Sequence, residues 1–437
     1  MRDARVLLGV DIGSSAVKAG LYSVDGDQLS VSRTACPSSG SIDPVRWWDA
    51  VCQAVASLPS HTPVAVGVCG RGATAVLLDT RGAVLAESWD DSRAAGLTAG
   101  IAAAHPSLAS QAVRILAKAH WWEREHGEKP AMALSAKDYV VYRLTGQFSA
   151  DPASGGAPAG LGLALAPVRE PWAWAGDTRP DGPIPPGIPV AVGWHDGAAA
   201  TFGAGAAAEG IAPVTLGTTA VYRVVANAIP PGLRRYWDLT PGLTVTGGDI
   251  TGAGRAFAWA SGLFPGSEAA RSPAGANGLT FLPQFNGRIA PDIRPGARGA
   301  WWGLNGTQCA DDLLRSVVEA TAFSLRQVRD WLADHGLRSR RTVATGGGAR
   351  SALQAQVLAD VLGDAVEVGA CEEGCRGAAL LGGVAAELLS IEAARTLPVP
   401  VTGYAPQASL AAVYSTAYAR FLSAQRAGDL VNHEAAE

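Results

Sequence analysis

Three segments of the chain set glycine beside Ser or Thr where an apolar run ends: Gly13-Ser14-Ser15, Gly217-Thr218-Thr219, and Gly346-Gly347-Gly348-Ala349-Arg350-Ser351. Glycine lets a backbone approach a phosphate closely, and the N–H groups and hydroxyls of such a turn donate to its oxygens. One turn of this kind reads as an ordinary hairpin. Three of them make phosphate binding the better reading. Neither Gly-x-x-x-x-Gly-Lys-[Ser/Thr] nor a Gly-x-Gly-x-x-Gly after the first strand is present, so the two commonest nucleotide motifs are excluded. Asp11 stands directly before the first turn. A carboxylate there holds Mg²⁺ through water near phosphate oxygens, or it caps the turn. Lys18, a few residues on, either neutralises a phosphate or is a solvated strand residue. Asp196 is the sharpest candidate: it follows an apolar run at 189–192 and opens the small-residue run 197–200. The plainer reading of Asp196 is a helix N-cap.

The elements that must position these residues follow from periodicity. Residues 6–10 and 17–24 predict strands flanking the first turn. Apolar positions 47, 48, 51, 52, 55 and 58 predict a helix over 46–58. Strands are expected at 64–68 and 74–78, joined by Cys69-Gly70-Arg71-Gly72, and helices around 111–126 and 136–145. Residues 151–189 are rich in Gly, Pro and Ala with little period, and predict a long loop or a reduced subdomain. A strand restarts at 190–192. The segment 214–221 then repeats the pattern of 10–17 around Gly-[Ser/Thr]-[Ser/Thr]-Ala-Val, which points to duplicated domains. Helices at 311–335, 351–362 and 374–389 alternate with short strands at 343 and 366–368. The polar tail past 425 predicts a frayed end.

The 437 residues suit two or three domains, and 48% hydrophobic with 17% charged residues excludes a disordered chain. Thirty-five basic against 39 acidic residues give a net charge of −4, so nucleic-acid binding is not expected. No membrane span or signal peptide is legible. Six scattered cysteines form no zinc pattern and read as free thiols of a cytoplasmic protein.

Taken together, Gly9-x-Asp11-x-Gly13-Ser14-Ser15, Gly187-Ile188-Pro189-Val190-x-x-Gly193-x-x-Asp196, Leu216-Gly217-Thr218-Thr219 and Gly346-Gly347-Gly348-Ala349-x-Ser351 resemble the FGGY carbohydrate kinases. Trp89-Asp90-Asp91-Ser92-Arg93, Gln356-x-x-x-Asp360-Val361 and Glu373-x-x-x-Gly377-Ala378-Ala379 add to the resemblance, in order and over nearly the whole chain. The resemblance implies an α/β protein of the actin–hexokinase superfamily. Two ribonuclease-H-like domains would flank a nucleotide cleft, with a sugar-binding domain at 1–208 and a nucleotide-binding domain at 209–437. It implies ATP and Mg²⁺ as cofactors and a small sugar or polyol as substrate, with neither nucleic acid nor membrane as partner; a homodimer stays open. Asp196 matches the catalytic base and Asp11 the metal-linked carboxylate. Gly13, Ser14, Ser15 and Lys18, with Gly217, Thr218 and Thr219, fall at the two phosphate turns. Gly254, Gly346, Gly347 and Ser351 fall near the nucleotide's ribose and base.

The acceptor side departs from the relatives. Gly70-Arg71-Gly72-Ala73-Thr74 stands where xylulokinases carry Gln-Met-His. Arg71 resembles the arginine that glycerol kinase uses, but Gly72 replaces the acidic residue after it. Arg71, Gly72, Trp89 and Asp196 are the expected acceptor residues, with Trp194 beside them, while Trp47, Trp48, Trp259 and Trp331 fall on helical apolar faces and read as core. Two other readings remain: a kinase of a cyclitol or sugar acid, whose carboxylate Arg71 would suit, and a non-catalytic sensor of sugar and nucleotide.

Overall fold

The computed structural model describes residues 5–36, 41–72, 74–89, 92–156 and 164–434. The chain divides into two compact units, 1–205 with 371–399 and 206–370 with 400–437.

The first unit is built on a mixed sheet. Strands β1 (Val6–Ile12), β2 (Ala16–Ser23) and β3 (Gln28–Ala35) form an antiparallel meander, and β4 (Ala65–Gly70) runs parallel to β1 on its other side. Strands β1 and β4 are covered on both faces, which is why both read as unbroken apolar runs. Helix α1 (Pro44–Ala56) opens with Asp43 accepting from the Val45 N–H and buries Trp47, Trp48, Val51 and Ala54. Helix α2 (Ser110–His126) and helix α3 (Ala136–Thr145) stand where their periodicity put them. A capping box between Ser135 and Asp138 starts α3.

The described parts of 151–189 are more ordered than their composition predicts. They supply β5 (Trp174–Asp177), antiparallel to β6 (Pro189–Ala191), and β6 joins the sheet beside β4. Residues 157–163 lie outside the described residues. Two residues past β6, the short strand β7 (Trp194–His195) pairs in parallel with the end of β4 and runs straight into helix α4 (Asp196–Gly203).

The second unit repeats this plan. Strands β8 (Ile211–Leu216) and β9 (Ala220–Ala226) form the hairpin that carries the second turn. Its sheet order is β10 (Arg235–Thr240), β11 (Leu243–Ile250), β9, β8, β12 (Arg341–Thr345), β13 (Val366–Gly369), β14 (Val401–Tyr404). Both sheets thus set antiparallel strands on one side of a central strand, two beside β1 and three beside β8, and on the other side parallel strands ending in an antiparallel edge strand, β5 or β14. That is the expected duplicated, ribonuclease-H-like architecture. Helices α5 (Ala253–Leu263), α6 (Ala310–Asp334) and α7 (Ala352–Leu362) cover this sheet.

Helix α8 (Glu373–Ala385), counted with the second domain by sequence, packs into the first unit. The reason is steric. A Cβ on Gly9 or Gly67 would lie under 3.0 Å from the carbonyl oxygens of Cys375 or Ala378, so α8 rests backbone to backbone on β1 and β4. Nor is the polar tail frayed as far as residue 434, the last described. Helix α9 (Ala411–Glu434) continues through it, and Asp429 accepts from Arg288 at 2.7 Å. Trp47 and Trp48 are core and Trp331 packs at the edge of the second core, but Trp259 is 43% exposed. All six cysteines are free thiols. Among the described residues no helix is long and apolar enough to cross a membrane.

The steric argument separates two glycines. Gly67→Ala must push α8 off the sheet and should cost about 3 kcal/mol, read as a clear fall in Tm. Gly262 lies inside α5, and a methyl added there would meet nothing within 4 Å; Gly262→Ala should raise Tm, by roughly 0.5–1 kcal/mol of stability. Equal responses from the two variants would refute close approach as the cause.

Candidate active site

In the first unit three strands end together. Cys69 pairs with both Asp11 and Trp194, and Gly70 pairs with both Ile12 and His195. This register puts Asp11, Arg71 and Asp196 at one edge of the sheet, beyond the carboxyl ends of parallel strands, where open α/β sheets place their ligands. The Arg71 N–H donates to Ile12 O at 3.1 Å and fixes the start of the Gly70–Gly72 turn.

Asp196 is the first residue of α4, not its cap. The cap is His195, whose Nδ1 accepts from the Ala198 N–H. Asp196 is therefore released from the capping role that the sequence left open. One carboxylate oxygen accepts from the Gly197 N–H at 2.7 Å, and the side chain is 54% exposed.

Asp11 is held differently. Its carboxylate takes a hydrogen bond from the Cys69 thiol at 3.5 Å and lies 3.6 Å from Lys18 Nζ. Lys18 also pairs with Glu372 at 2.9 Å. Burial, only partly opposed by Lys18 and the Cys69 hydrogen bond, holds the Asp11 pKa above the usual carboxylate range. Burial works against the Lys18 ammonium, but Asp11 and Glu372 outweigh it and push its pKa up. The Cys69 thiol is raised well above normal by burial, and then by neighbours that include both Asp11 and Asp196. Two carboxylates thus bear on one strand end. Glu372 is in turn fixed by its N–H donating to Gln28 Oε1 and its carbonyl accepting from Tyr22. Lys18 is thus a shared counter-ion rather than a solvated strand residue.

Ser14 and Ser15 are exposed on the turn closed by Gly13 N–H to Ala16 O at 3.0 Å. Arg71 and Gly72 are half-buried. Trp89 and Trp194 need correction. Each is 2% exposed. The Trp89 ring is packed by Trp121, with the Arg93 guanidinium 5.1 Å away and the Lys118 ammonium donating to its carbonyl. Trp194 packs against Trp172 and Phe202. Neither indole offers a face to a ligand. Asp90, Asp91 and Ala73, parts of the motifs around Trp89 and Arg71, lie outside the described residues. Sequence reading missed Cys69, Glu372 and the His195 cap. Only Glu372 carried a signal, as an acid beside the Glu373 motif.

In the second unit Thr218 and Thr219 are exposed on a turn closed by Gly217 N–H to Thr219 O. The start of α5 locks onto this turn: Gly254 and Arg255 N–H groups donate to the carbonyls of Gly217 and Thr218, both at 3.1 Å. The Gly348 N–H donates to Leu216 O at 2.8 Å, which draws the triple-glycine segment to the same strand end. Gly346 turns the chain there with a positive φ, and a Cβ added at Gly347 would meet nothing within 4 Å. Ser351 caps α7 through Gln354 N–H. A small cleft lined by Leu216, Gly217, Gly254, Phe257, Thr321 and Gln354 lies between these turns.

Sequence models of the FGGY family of carbohydrate kinases match this chain, the N-terminal domain over residues 6–158 and the C-terminal domain over 246–386. The chain belongs to the FGGY family. It is 27% identical over 414 residues to the xylulose kinase of Escherichia coli, covering 82% of this chain and 85% of that protein. It is 26% identical over 445 residues to the gluconokinase of Bacillus licheniformis, covering 86% of each. A crystal structure of xylulose kinase from Rhodospirillum rubrum superposes with a TM-score of 0.80 at 27% identity, over 98% of this chain and 100% of that one. This FGGY protein is an ATP-dependent carbohydrate kinase, a phosphotransferase with an alcohol group as acceptor.

A Cβ on Gly254 would lie under 3.0 Å from Gly217 O, a backbone atom that cannot move aside cheaply. Gly254→Ala should therefore raise the KM for ATP at least tenfold and leave the acceptor KM nearly unchanged. Steady-state kinetics with each substrate varied in turn checks this. An unchanged ATP KM would remove the 217–219 turn from the nucleotide site.

Proposed function

We propose that Asp196 is the general base of the transfer, that Arg71 lines the acceptor pocket, and that the acceptor is a short open-chain polyhydroxylated carbohydrate. The observation that carries this reading is the register of β1, β4 and β7. It sets an exposed carboxylate and a guanidinium-bearing turn side by side at one sheet edge. In the transfer, an acceptor hydroxyl oxygen attacks the γ-phosphorus of ATP and Asp196 takes its proton. The bond to the ADP oxygen breaks in line, through a loose transition state. Little covalent work falls to the protein beyond positioning and charge stabilisation. The Gly197 N–H orients the Asp196 carboxylate, and the exposed hydroxyls of Ser14 and Ser15 on the neighbouring turn would donate to phosphate oxygens.

Mg²⁺ asks for oxygen ligands, keeps several waters, and binds through one or two carboxylates plus substrate phosphates. Asp11, a carboxylate at the end of β1 just before the first turn, fits that demand. It is the residue that would hold the ion, whose charge, when bound, neutralises the phosphate oxygens. Six free thiols and dependence on ATP suit a cytoplasmic location.

Sugar acids are a second reading. Arg71 supplies a fork that a carboxylate accepts bidentately, and one of the relatives is named a gluconokinase. A coupled ADP-release assay over D-xylulose, D-gluconate, glycerol and a cyclitol separates the readings.

Two variants test the roles. Asp196→Asn keeps shape but removes the base; turnover should fall by about 10²- to 10⁴-fold, with ATP affinity unchanged by calorimetry. Near wild-type turnover would reduce Asp196 to a structural residue. Arg71→Ala should lower kcat/KM for the acceptor at least tenfold while sparing the ATP KM. Arg71→Lys should not restore it, because an ammonium lacks the planar fork. Full rescue by lysine would place Arg71 outside the acceptor pocket.

A further inference from the structure

The Gly70–Gly72 turn is backed by the first turn of α2. Gly72 has no side chain, and the space where one would stand is filled. A Cβ at position 72 would lie under 3.0 Å from three atoms of the Gln111 carboxamide, Cδ, Oε1 and Nε2. Gln111 Oε1 is buried and has no hydrogen-bond partner among the described residues. An amide oxygen taken from water and left unpaired costs roughly 1–3 kcal/mol, so a buried acceptor of this kind calls for a donor from outside. Trp122 Nε1, on the same helix, is also buried and unpaired, as are Ser88 Oγ and Trp89 Nε1 of the short strand Ser88–Trp89. Ser88 and Trp89 are only 1% and 2% exposed. Two residues of chain, at most about 7 Å, separate Gly72 from Gly70, the register partner of His195.

We infer that Gln111 is a specificity-determining residue of the acceptor pocket. Its carboxamide occupies the volume of a missing side chain at position 72 and accepts a hydrogen bond from a hydroxyl of the carbohydrate. This rests on the acceptor reading proposed above and adds the group that reads the substrate. The chemistry explains the residue type. A neutral amide both accepts from and donates to a hydroxyl, and tolerates either a neutral sugar or an anionic one, whereas a carboxylate at this place would repel a sugar acid. A site built to bond a hydroxyl discriminates strongly, because an acceptor lacking that hydroxyl leaves the buried amide unpaired.

The test uses the full chain and, as probe, whichever of D-xylulose, D-gluconate and glycerol the wild type phosphorylates fastest. Gln111→Met keeps length and removes both hydrogen-bonding atoms. Gly72→Ala adds a methyl that displaces the carboxamide, a flexible side-chain end, without touching the backbone. Both variants should raise the acceptor KM at least tenfold and leave the ATP KM within twofold. The Tm of ligand-free Gln111→Met should hold or rise, since an unpaired buried acceptor is gone. The rise in Tm that the probe gives the wild type should shrink. A purely structural glutamine predicts the opposite pattern, a lower Tm with the acceptor KM unchanged, and that result overturns the inference. An unaltered acceptor KM in both variants also overturns it while leaving Asp196 and Arg71 in place. A wild type inactive on the whole panel overturns the acceptor reading itself, and the inference with it.

Discussion

Helix α8 touches the sheet of the first unit backbone to backbone, and the geometry of the strand ends that carry Asp11 and Asp196 hangs on that contact. Gly9 and Gly67 let it settle on β1 and β4; Gly203 and Gly377 let it settle against α4, since a Cβ on either would lie under 3.0 Å from the carbonyl of Glu373 or Ala199. Side chains at these four places would hold the helix away and leave a void that nothing else fills. The contact fixes more than packing. Its N-terminal end brings Gly374 against the Asp11 carboxylate and Glu372 to Lys18. Its middle carries Arg376, a side chain 1% exposed, which donates to Gly26 O, Gly203 O and Pro398 O. Arg376 thus ties the β2–β3 turn, the end of α4 and the segment after α8 to one cation. Burial lowers its pKa, yet an arginine stays charged, and the carbonyl at the C-terminal end of α4 is a favourable partner for that charge.

A second buried cation works on the other side of the same strands. Lys137, 1% exposed, pairs with Asp138 and Asp151 and donates to Val192 O at 3.0 Å. Burial opposes its charge, but the two carboxylates outweigh that and raise its pKa. Buried ion networks are weak sources of stability, because desolvation takes back most of the Coulomb gain. What this one supplies is position. Val192 lies two residues before β7, so the network pins the segment leading through β7 to Asp196 to the start of α3 and to the loop at 151–154. Asp196 itself stays half exposed, while the apparatus that aims it is dry.

The sequence carried the parts of this structure that depend on period and turn chemistry. The helices at 110–126 and 136–145, the two hairpin turns and the duplication were legible because each is a local pattern. Strand β3 was not: it is an exposed edge on which only Leu29 and Val31 alternate with polar residues, and Leu29 is itself half exposed, too short and too polar a pattern to stand out. The strand at 174–177 was hidden by glycine and tryptophan in a segment of loop-like composition. The place of α8 was hidden for a deeper reason. Its glycines signal close approach, but not to which sheet, and chain order alone does not say which unit it packs into. At the site, Asp11, Arg71 and Asp196 were legible as types, and the resemblance gave them roles. Trp89 and Trp194 misled, because adjacency to a site residue says nothing of which way a ring packs. Gly72 was visible as a departure, but only three-dimensional structure tells which side chain fills the space it leaves.

The duplicated turns end up with different chemistry on similar backbones. In the first unit the strand pair flanking the turn matches Asp11 with Lys18 across the ladder, so a carboxylate and its counter-ion stand behind Ser14 and Ser15. In the second, Leu216 pairs with Ala220, a turn one residue tighter than the Ile12–Val17 closure. The position matching Asp11 is Thr215, which takes a hydrogen bond from Arg223 at 3.1 Å. One turn therefore presents hydroxyls backed by a buried acid, and the other presents hydroxyls backed by a buried guanidinium. An anion such as a polyphosphate is drawn by the second arrangement without further help. The first needs a cation to come with the anion, which is what a carboxylate at a phosphate turn is for. The asymmetry fits the roles proposed for the two halves. Acid–base work would gather where the carboxylates are, and nucleotide holding where Thr218, Gly254 and the triple-glycine segment converge on Leu216 and Gly217.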